Sequence, residues 1–498
     1  MDALYNLISG FQVILVPENL LFCFLGALGG TLVGVLPGLG PPAAIALLLP
    51  ATFYLTPVPA IIMLAGIYYG AMYGGSTTSI LVNIPGEAAS VVTCLDGHQM
   101  ALRGRAGPAL GIAAFGSFIA GTVGVFLLVF LGSPLAEFAL RFGPPEYFSL
   151  MCLALITLTF LSGGSLINSL ISGMIGLFLG TVGFDIVTGE ARFAFGIPVL
   201  MDGVGLIPVI MGVFGVTEIM LNVEEEIKRT LVTKHIDHLL PNRRDWGTSV
   251  MPIVRGTLVG SILGILPGGG VVLSTFASYA VERKLSKHPE QFGKGAIEGV
   301  AGPEAANNAA ATTGFIPLLT LGIPANVTTA ILLAALMLFG IQPGPMLLST
   351  HPDLFWGTIA SMYVGNGMLL ILNLPLIGLW IQVLKVPYSL LFPLILIFCV
   401  IGVYIPNNSI AEIWVMIVFG VIGYIFKKIN FEIAPMVLAM VISPIFENAF
   451  RQSLIISVGD LTIFFSRPIS AFLVGGSALL LFLGFVPRIW SFRKQIYE

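Results

Sequence analysis

No lysine or arginine occurs before Arg103, and charge is scarce throughout. Asp, Glu, Lys and Arg make up 9% of the chain and apolar residues 56%. Soluble domains carry about 25% charged residues, so a surface wetted on all sides is excluded. The chain reads as a polytopic membrane protein, and no long hydrophilic segment stands apart as a second domain. The net charge of −3 gives no footing for nucleic acid as a partner. Cys23, Cys94, Cys152 and Cys399 lie far apart, in or beside apolar runs, with no CxxC or Cys/His spacing. They read as small buried hydrophobes. GxSxG, HExxH and P-loop motifs are all missing, which removes the footing for hydrolase or ATPase chemistry. We therefore expect a protein that is not an enzyme and uses no cofactor or metal. The N-terminus lacks the basic start of a signal peptide; it reads as a short amphipathic helix ending near Pro17. The five histidines all fall in predicted loops.

The basic residues that are present come in clusters: Arg103 with Arg105, the loop 222–248, the segment 282–298, Lys427–Lys428 and the C-terminal tail. The excess of positive charge assigns these to the cytoplasm. Apolar runs join them at roughly 107–131, 147–162, 166–184, 196–221, 356–383, 387–405, 410–426, 431–447 and 470–487, with 448–467 laid on the outer surface. One conflict arises. Residues 249–281 lie between two cytoplasmic loops, and a single span would put those loops on opposite sides. This stretch must enter and return, turning at Pro267-Gly268-Gly269-Gly270. Non-helical backbone at membrane depth is tolerated only where protein or a water-filled cavity covers it.

The turn has a twin. "GVLPGLG" begins at Gly34 and "GILPGGG" at Gly264. A shift of 230 places Gly26, Gly30, Gly34 and Gly38 on Gly256, Gly260, Gly264 and Gly268. Four glycines at a spacing of four make a smooth ridge that lets another helix approach closely. A second pair of interruptions follows. The runs 58–95 and 300–340 would be about 55–60 Å long as straight helices, against a bilayer core of about 30 Å. Each must break, and proline places the breaks at Ile84-Pro85-Gly86 and Ile323-Pro324-Ala325. Each half thus carries a re-entrant hairpin followed by a discontinuous helix, in opposite inferred orientation. Inverted repeats of that kind build the midplane binding sites of secondary transporters.

Interrupted helices leave backbone N–H groups and partial positive charge that suit a carboxylate. Freed carbonyls and hydroxyls suit a small hard cation. The polar residues cluster beside the breaks: Ser76, Thr77, Thr78 and Asn83 in one half, Asn307, Asn308, Thr312, Thr313 and Asn326 in the other. The hairpin tips add Gly38, Leu39, Gly40, Gly268, Gly269 and Gly270, and the breaks add Pro85, Gly86, Pro324 and Ala325. Glu304 has two readings: a coupling carboxylate that takes H+ or Na+, or the first turn of a helix opened by Pro303. Glu87, just after a break, has the same two. The hydroxyls have a bland reading as well, bonding back to their own helix.

"GTLVGVLPGLGP", "YGGSTTSILVNIPGEAAS", "LDGHQMALRGRAGPALG", "FGKGAIEGVAGPEAANNAA" and "IPLLTLGIPAN" resemble the large membrane subunit of tripartite tricarboxylate transporters. The resemblance spans nearly the whole chain. It implies import of carboxylates into bacteria across the inner membrane by a cation gradient, with Na+ or H+ as coupling ion. It implies two partners, a small four-helix membrane subunit and a periplasmic solute-binding protein. It also implies a moving transport part that holds both hairpins, with the remaining helices as scaffold. Carried over by motif, the site would comprise the tips Gly38–Gly40 and Gly268–Gly270, the segments Ser76–Thr78 and Thr312–Thr313, and Asn83, Asn307 and Asn308. Two positions depart from the family pattern: His98, where an aromatic is common, and Ala325, where glycine is common. A passive anion channel and an intramembrane enzyme are the alternatives. The expected fold is an all-α polytopic membrane protein in one domain, 1–498, in contact with lipid. Its parts are a first repeat core 20–110, scaffold 111–221, a cytoplasmic loop 222–248, a second repeat core 249–345, and scaffold with a cytoplasmic tail 346–498.

Overall fold

The computed structural model describes residues 2–36, 39–161, 165–185, 187–224, 236, 238–266 and 270–484. The tip residues Gly38, Gly268 and Gly269 lie outside the described residues. The protein is an all-α polytopic membrane protein. Among the described residues eight helices are long and apolar enough to cross a membrane, and the sole sheet pairs Gly183–Phe184 with Ala191–Arg192. Large apolar side chains such as Phe126, Ile371, Trp414 and Phe472 stand exposed on the outer helices, as a lipid-facing surface requires.

Proline and small caps start the helices of the first half. Helix α1 spans Asp2–Ile14, and α2 (Pro17–Val35) opens on Pro17 and Glu18, which suits a helix N-terminus. Helix α3 (Pro41–Leu48) is a short return arm. Its length of about 12 Å is too little to cross a bilayer. Helix α4 (Pro57–Val82) is buried on nearly every side, the mark of a core helix. Helix α5 (Ala106–Ala139) continues eight residues past the expected span. Helices α6 (Pro144–Leu161), α7 (Leu166–Gly180) and α8 (Leu206–Glu224) follow, α8 carrying a π-helical stretch at Met211–Val216.

Helix α9 (Arg243–Ile265) starts inside the stretch read as a loop. Asn242 Oδ1 caps it by accepting from the N–H groups of Arg244 and Asp245. Next come α10 (Gly270–Leu285), α11 (Glu298–Thr313), α12 (Phe315–Leu321) and α13 (Val327–Leu338). Helix α14 (Pro352–Asn373) is separated from α15 (Ile377–Leu384) by a break at 374–376, where Pro375 interrupts the single run expected there. Helices α16 (Tyr388–Asn407), α17 (Ile410–Lys428), α18 (Ala434–Ile456) and α19 (Pro468–Gly484) complete the scaffold. Helix α18 carries Arg451, in the segment expected to lie flat outside.

Glycine sets the packing at the centre. A Cβ on Gly26, Gly30 or Gly34 would sit 2.3 Å from the carbonyl oxygen of Met63, Ile67 or Ala71 respectively. Both series advance by four, so α2 and α4 run parallel with their backbones in contact. In the second half Gly256 and Gly260 meet the carbonyls of Gly302 and Ala306, and Gly264 meets Ala310. Helices α9 and α11 are therefore parallel in the same way.

The ion pairs form two separate groups. One links Arg105 to Asp245, Arg255 to Glu282 and Lys428 to Glu224. The other joins Arg192, Asp185, Glu447 and Arg451, with Glu146–Arg467 beside it. Asp185 accepts from the N–H of Val187 and from Arg451, which hold its carboxyl down at about 2. An unfolded aspartate titrates near 3.9. Its contribution to stability is thus complete above about pH 4 and is lost as pH falls through about 2. Asp185→Asn is expected to lower the unfolding midpoint at neutral pH, with the gap from the parent closing between about pH 4 and 2. Midpoints measured across that range check this; a gap that stays constant would contradict it.

Candidate functional site

Both discontinuous helices end in the same backbone conformation. Helix α4 stops at Asn83 (φ 60°, ψ 30°) and α12 at Gly322 (φ 69°, ψ 28°), both left-handed. Ile-Pro follows each. The glycine–carbonyl contacts fix the register between halves: adding 239 carries Met63, Ile67 and Ala71 onto Gly302, Ala306 and Ala310. The same shift carries Asn83 onto Gly322, Pro85 onto Pro324, Gly86 onto Ala325, Glu87 onto Asn326 and Ser90 onto Thr329. The local bonds repeat too. Ser90 Oγ accepts from the Glu87 N–H at 3.2 Å, and Thr329 Oγ1 accepts from the Asn326 N–H at 2.9 Å. One mismatch is informative. Each half has a Thr-Thr pair before its break, but Thr77–Thr78 and Thr312–Thr313 differ by 235, one helical turn out of this register.

Two of the bonds between the halves are equivalent. Asn307 Nδ2 donates to Glu87 Oε1 at 2.7 Å, and Asn326 Nδ2 donates to Tyr68 Oη at 2.9 Å. Asn307 is Tyr68 shifted by 239, and Glu87 is Asn326 shifted back. The two bonds are one contact seen from either side.

Glu304 lies one turn before Asn307 on α11. Helix α11 begins at Glu298, so Pro303 and Glu304 sit within the helix and not at its start. The helix-start reading of Glu304 is thereby overturned. Its side chain is fully buried, accepting from Ser76 Oγ at 2.6 Å and from Thr93 Oγ1. No Lys or Arg is bonded to either Glu87 or Glu304 among the described residues. Asn308 Nδ2 donates to Ser117 Oγ at 2.6 Å. Ser76, Thr77, Tyr73, Ser117 and Asn373 line a narrow cavity between α4, α5 and α14, and the buried Asn373 Oδ1 has no partner among the described residues. Gly322 opens instead on a cavity of about 840 Å³ lined by Tyr147, Gln342, His351, Asn448 and Gln452 among others.

Other expected site residues lie elsewhere. Thr312 and Thr313 bond back to Asn308 and Ala309 carbonyls at 2.9 Å, the bland reading of a helix hydroxyl. Thr78 Oγ1 donates to the Val35 carbonyl at 2.8 Å and ties α4 to the end of α2. Leu39 is buried against Ala43, Met211 and Cys399, facing scaffold. Gly40 precedes α3 in extended conformation. Gly270 opens α10, where a Cβ would meet the Leu263 carbonyl at 2.1 Å. Gly86 is packed on Gly75 and the Gly34 carbonyl, while Pro324 and Ala325 are buried. Thr93, Tyr68, Ser117 and Asn373 were not candidates. The signal available for Tyr68 was a hydroxyl in a wholly apolar run, a group that seeks a partner when buried; Thr93 offered none.

Asn326 Oδ1 also accepts from the Thr329 N–H at 2.9 Å, capping α13. Asn326→Ala removes that cap and leaves Tyr68 without its donor. A loss of about 1–2 kcal/mol is expected, read as a lower unfolding midpoint of the detergent-solubilised protein. An unchanged midpoint would contradict the cap.

Residues 20–438 match the family described as tripartite tricarboxylate transporter TctA family. An uncharacterized 52.8 kDa protein in the TAR-I ttuC' 3' region of Agrobacterium vitis is 51% identical over 497 residues, covering 100% of this chain and 99% of that protein. An uncharacterized protein in the TAR-II ttuC' 3' region of the same organism is 53% identical over 238 residues, covering 48% of this chain and 98% of the relative. No solved structure matches the chain. With most of its length matched by the family and one relative similar from end to end, the chain belongs to the tripartite tricarboxylate transporter TctA family.

Proposed function

We propose that this chain is the translocating subunit of a carboxylate importer in the bacterial inner membrane. A periplasmic solute-binding protein delivers a di- or tricarboxylate or related organic acid. A small four-helix membrane subunit completes the assembly, and Na+ or H+ moves with the substrate. The observation that carries this reading is the paired junction Asn307–Glu87 and Asn326–Tyr68. Reciprocal contacts of this kind arise about a two-fold axis, as inverted repeats require, and one of them, Asn307–Glu87, lies one helical turn from buried Glu304. Interrupted helix ends supply donors for the carboxylate, and Glu304 acts as a coupling carboxylate.

Return arm α3 packs on α13, which follows the second break, and α10 packs on residues 88–93, which follow the first. Each hairpin is thus fastened to the opposite half. This supports one rigid transport body sliding against the outer helices, an elevator motion.

The test is reconstitution of the chain with its small subunit in liposomes, using loaded binding protein and labelled carboxylates. Uptake that requires both the binding protein and an imposed Na+ or H+ gradient is the expected result. Anion current without either would instead identify a passive channel.

A further inference from the structure

Buried acceptors are almost always matched by donors, and one at the junction is not. Asn307 is 1% exposed; its Nδ2 donates to Glu87 Oε1 at 2.7 Å, yet its Oδ1 has no partner among the described residues. Around it the groups are mostly acceptors. The Glu87 side chain lies over Gly75, and Gly86 abuts the Gly34 carbonyl in the last turn of α2, the partially negative end of that helix. The ionisable neighbours are Glu304, one turn back on α11, and the Tyr68 hydroxyl on α4. On α10, which packs against residues 88–90, Glu282 is paired with Arg255, and Arg283 and Lys284 are exposed in the last turn.

A carboxylate beside an unmatched amide oxygen lacks one positive charge. A proton on Glu87 supplies it by donating to Asn307 Oδ1, which closes a two-bond acid–amide pair. Na+ supplies it by bridging the carboxylate and the amide oxygen. We propose that Glu87 and Asn307 form the seat of one transported monovalent cation. The other half has no such seat, because its equivalents are the neutral Asn326 and Tyr68, already bonded to each other. This pair therefore carries one cation per chain and not two. The inference rests on the import reading and adds to it a seat for one coupling cation, one helical turn from Glu304.

The experiment uses the purified full-length chain in detergent, without substrate or partner subunits. Its unfolding midpoint is followed in two arms: against NaCl at constant ionic strength set with choline chloride, and against pH between about 5 and 9. The parent is expected to show a saturable rise in one arm. Glu87→Gln, nearly the same shape and able to donate to Asn307 Oδ1 as the protonated acid does, should sit near the parent's cation-loaded midpoint and lose the response. Asn307→Ser should shift the half-effect concentration by about tenfold or more. A wild-type response in Glu87→Gln overturns the proposal, as does a parent that answers to neither cation. Because no carboxylate is present, such a failure leaves the import reading standing. Loss of uptake alongside an intact cation response would count against the import reading instead.

Discussion

Gly260→Ala sharply lowers the amount of folded protein, while Gly475→Ala leaves it unchanged or slightly improved. The two substitutions are chemically identical and both fall inside helices. The difference lies in what a methyl group would meet. At Gly260 it would stand 2.3 Å from the Ala306 carbonyl oxygen and 2.8 Å from its Cα. These are backbone atoms and cannot rotate aside. Helices α9 and α11 would have to part along the ridge formed with Gly256 and Gly264. Overpacking by side chains costs about 1–3 kcal/mol; separating two backbones in contact at three successive turns exceeds that range. At Gly475 no atom of another part of the described chain lies within 4 Å of the added carbon, and alanine in a helix interior is favoured over glycine by about 1 kcal/mol. Gly30→Ala should follow Gly260→Ala, since its Cβ would stand 2.3 Å from the Ile67 carbonyl. The measurement is the monodisperse fraction and unfolding midpoint after solubilisation. Equal values for Gly260→Ala and the parent would remove the parallel-helix contact as the centre of the fold.

How far the sequence discloses this arrangement differs from feature to feature. The glycine ridge announces close approach, because four smooth positions on one face have no other strong use. It does not say what approaches. The partner is a parallel helix about 40 residues further on, and nothing in the spacing encodes that. The breaks at Pro85 and Pro324 are legible because length and proline act together: a run that overshoots the bilayer must be cut, and proline is where cutting costs least. Glu304 misleads for a related reason. Pro303 before an acid is a strong sign of a helix start in water. Here α11 begins five residues earlier, and surrounding helices stabilise a proline within it. The threonine pairs mislead by likeness: two similar dipeptides invite alignment, yet the carbonyl contacts put them a turn apart. Thr93 was not legible at all. It is one hydroxyl in an apolar stretch, and only folding brings it to Glu304 from 211 positions away.

Replacing Glu304 by glutamine is expected to leave a folded protein that no longer supports the proposed import. The fold is retained because Ser76 and Thr93 present hydroxyls, which both donate and accept. A glutamine amide can therefore accept from one and donate to the other without adding volume or orphaning a buried group. What it cannot do is gain or lose charge. A fully buried carboxylate with no basic partner is held at a high desolvation cost, and such a group in a transport protein is retained for the charge it exchanges. Uptake by the reconstituted system is expected to fall by about 100-fold or more, equivalent to at least about 2.7 kcal/mol of lost coupling. The unfolding midpoint should stay near that of the parent. Glu304→Ala supplies the contrast. It empties the position and strands both hydroxyls, so it should lower the midpoint as well, by the about 1–3 kcal/mol that each buried unpaired group costs. Uptake at the parental rate by Glu304→Gln would show that the carboxylate only braces α11 against Ser76 and Thr93, and the coupling role would then have to pass to Glu87 alone.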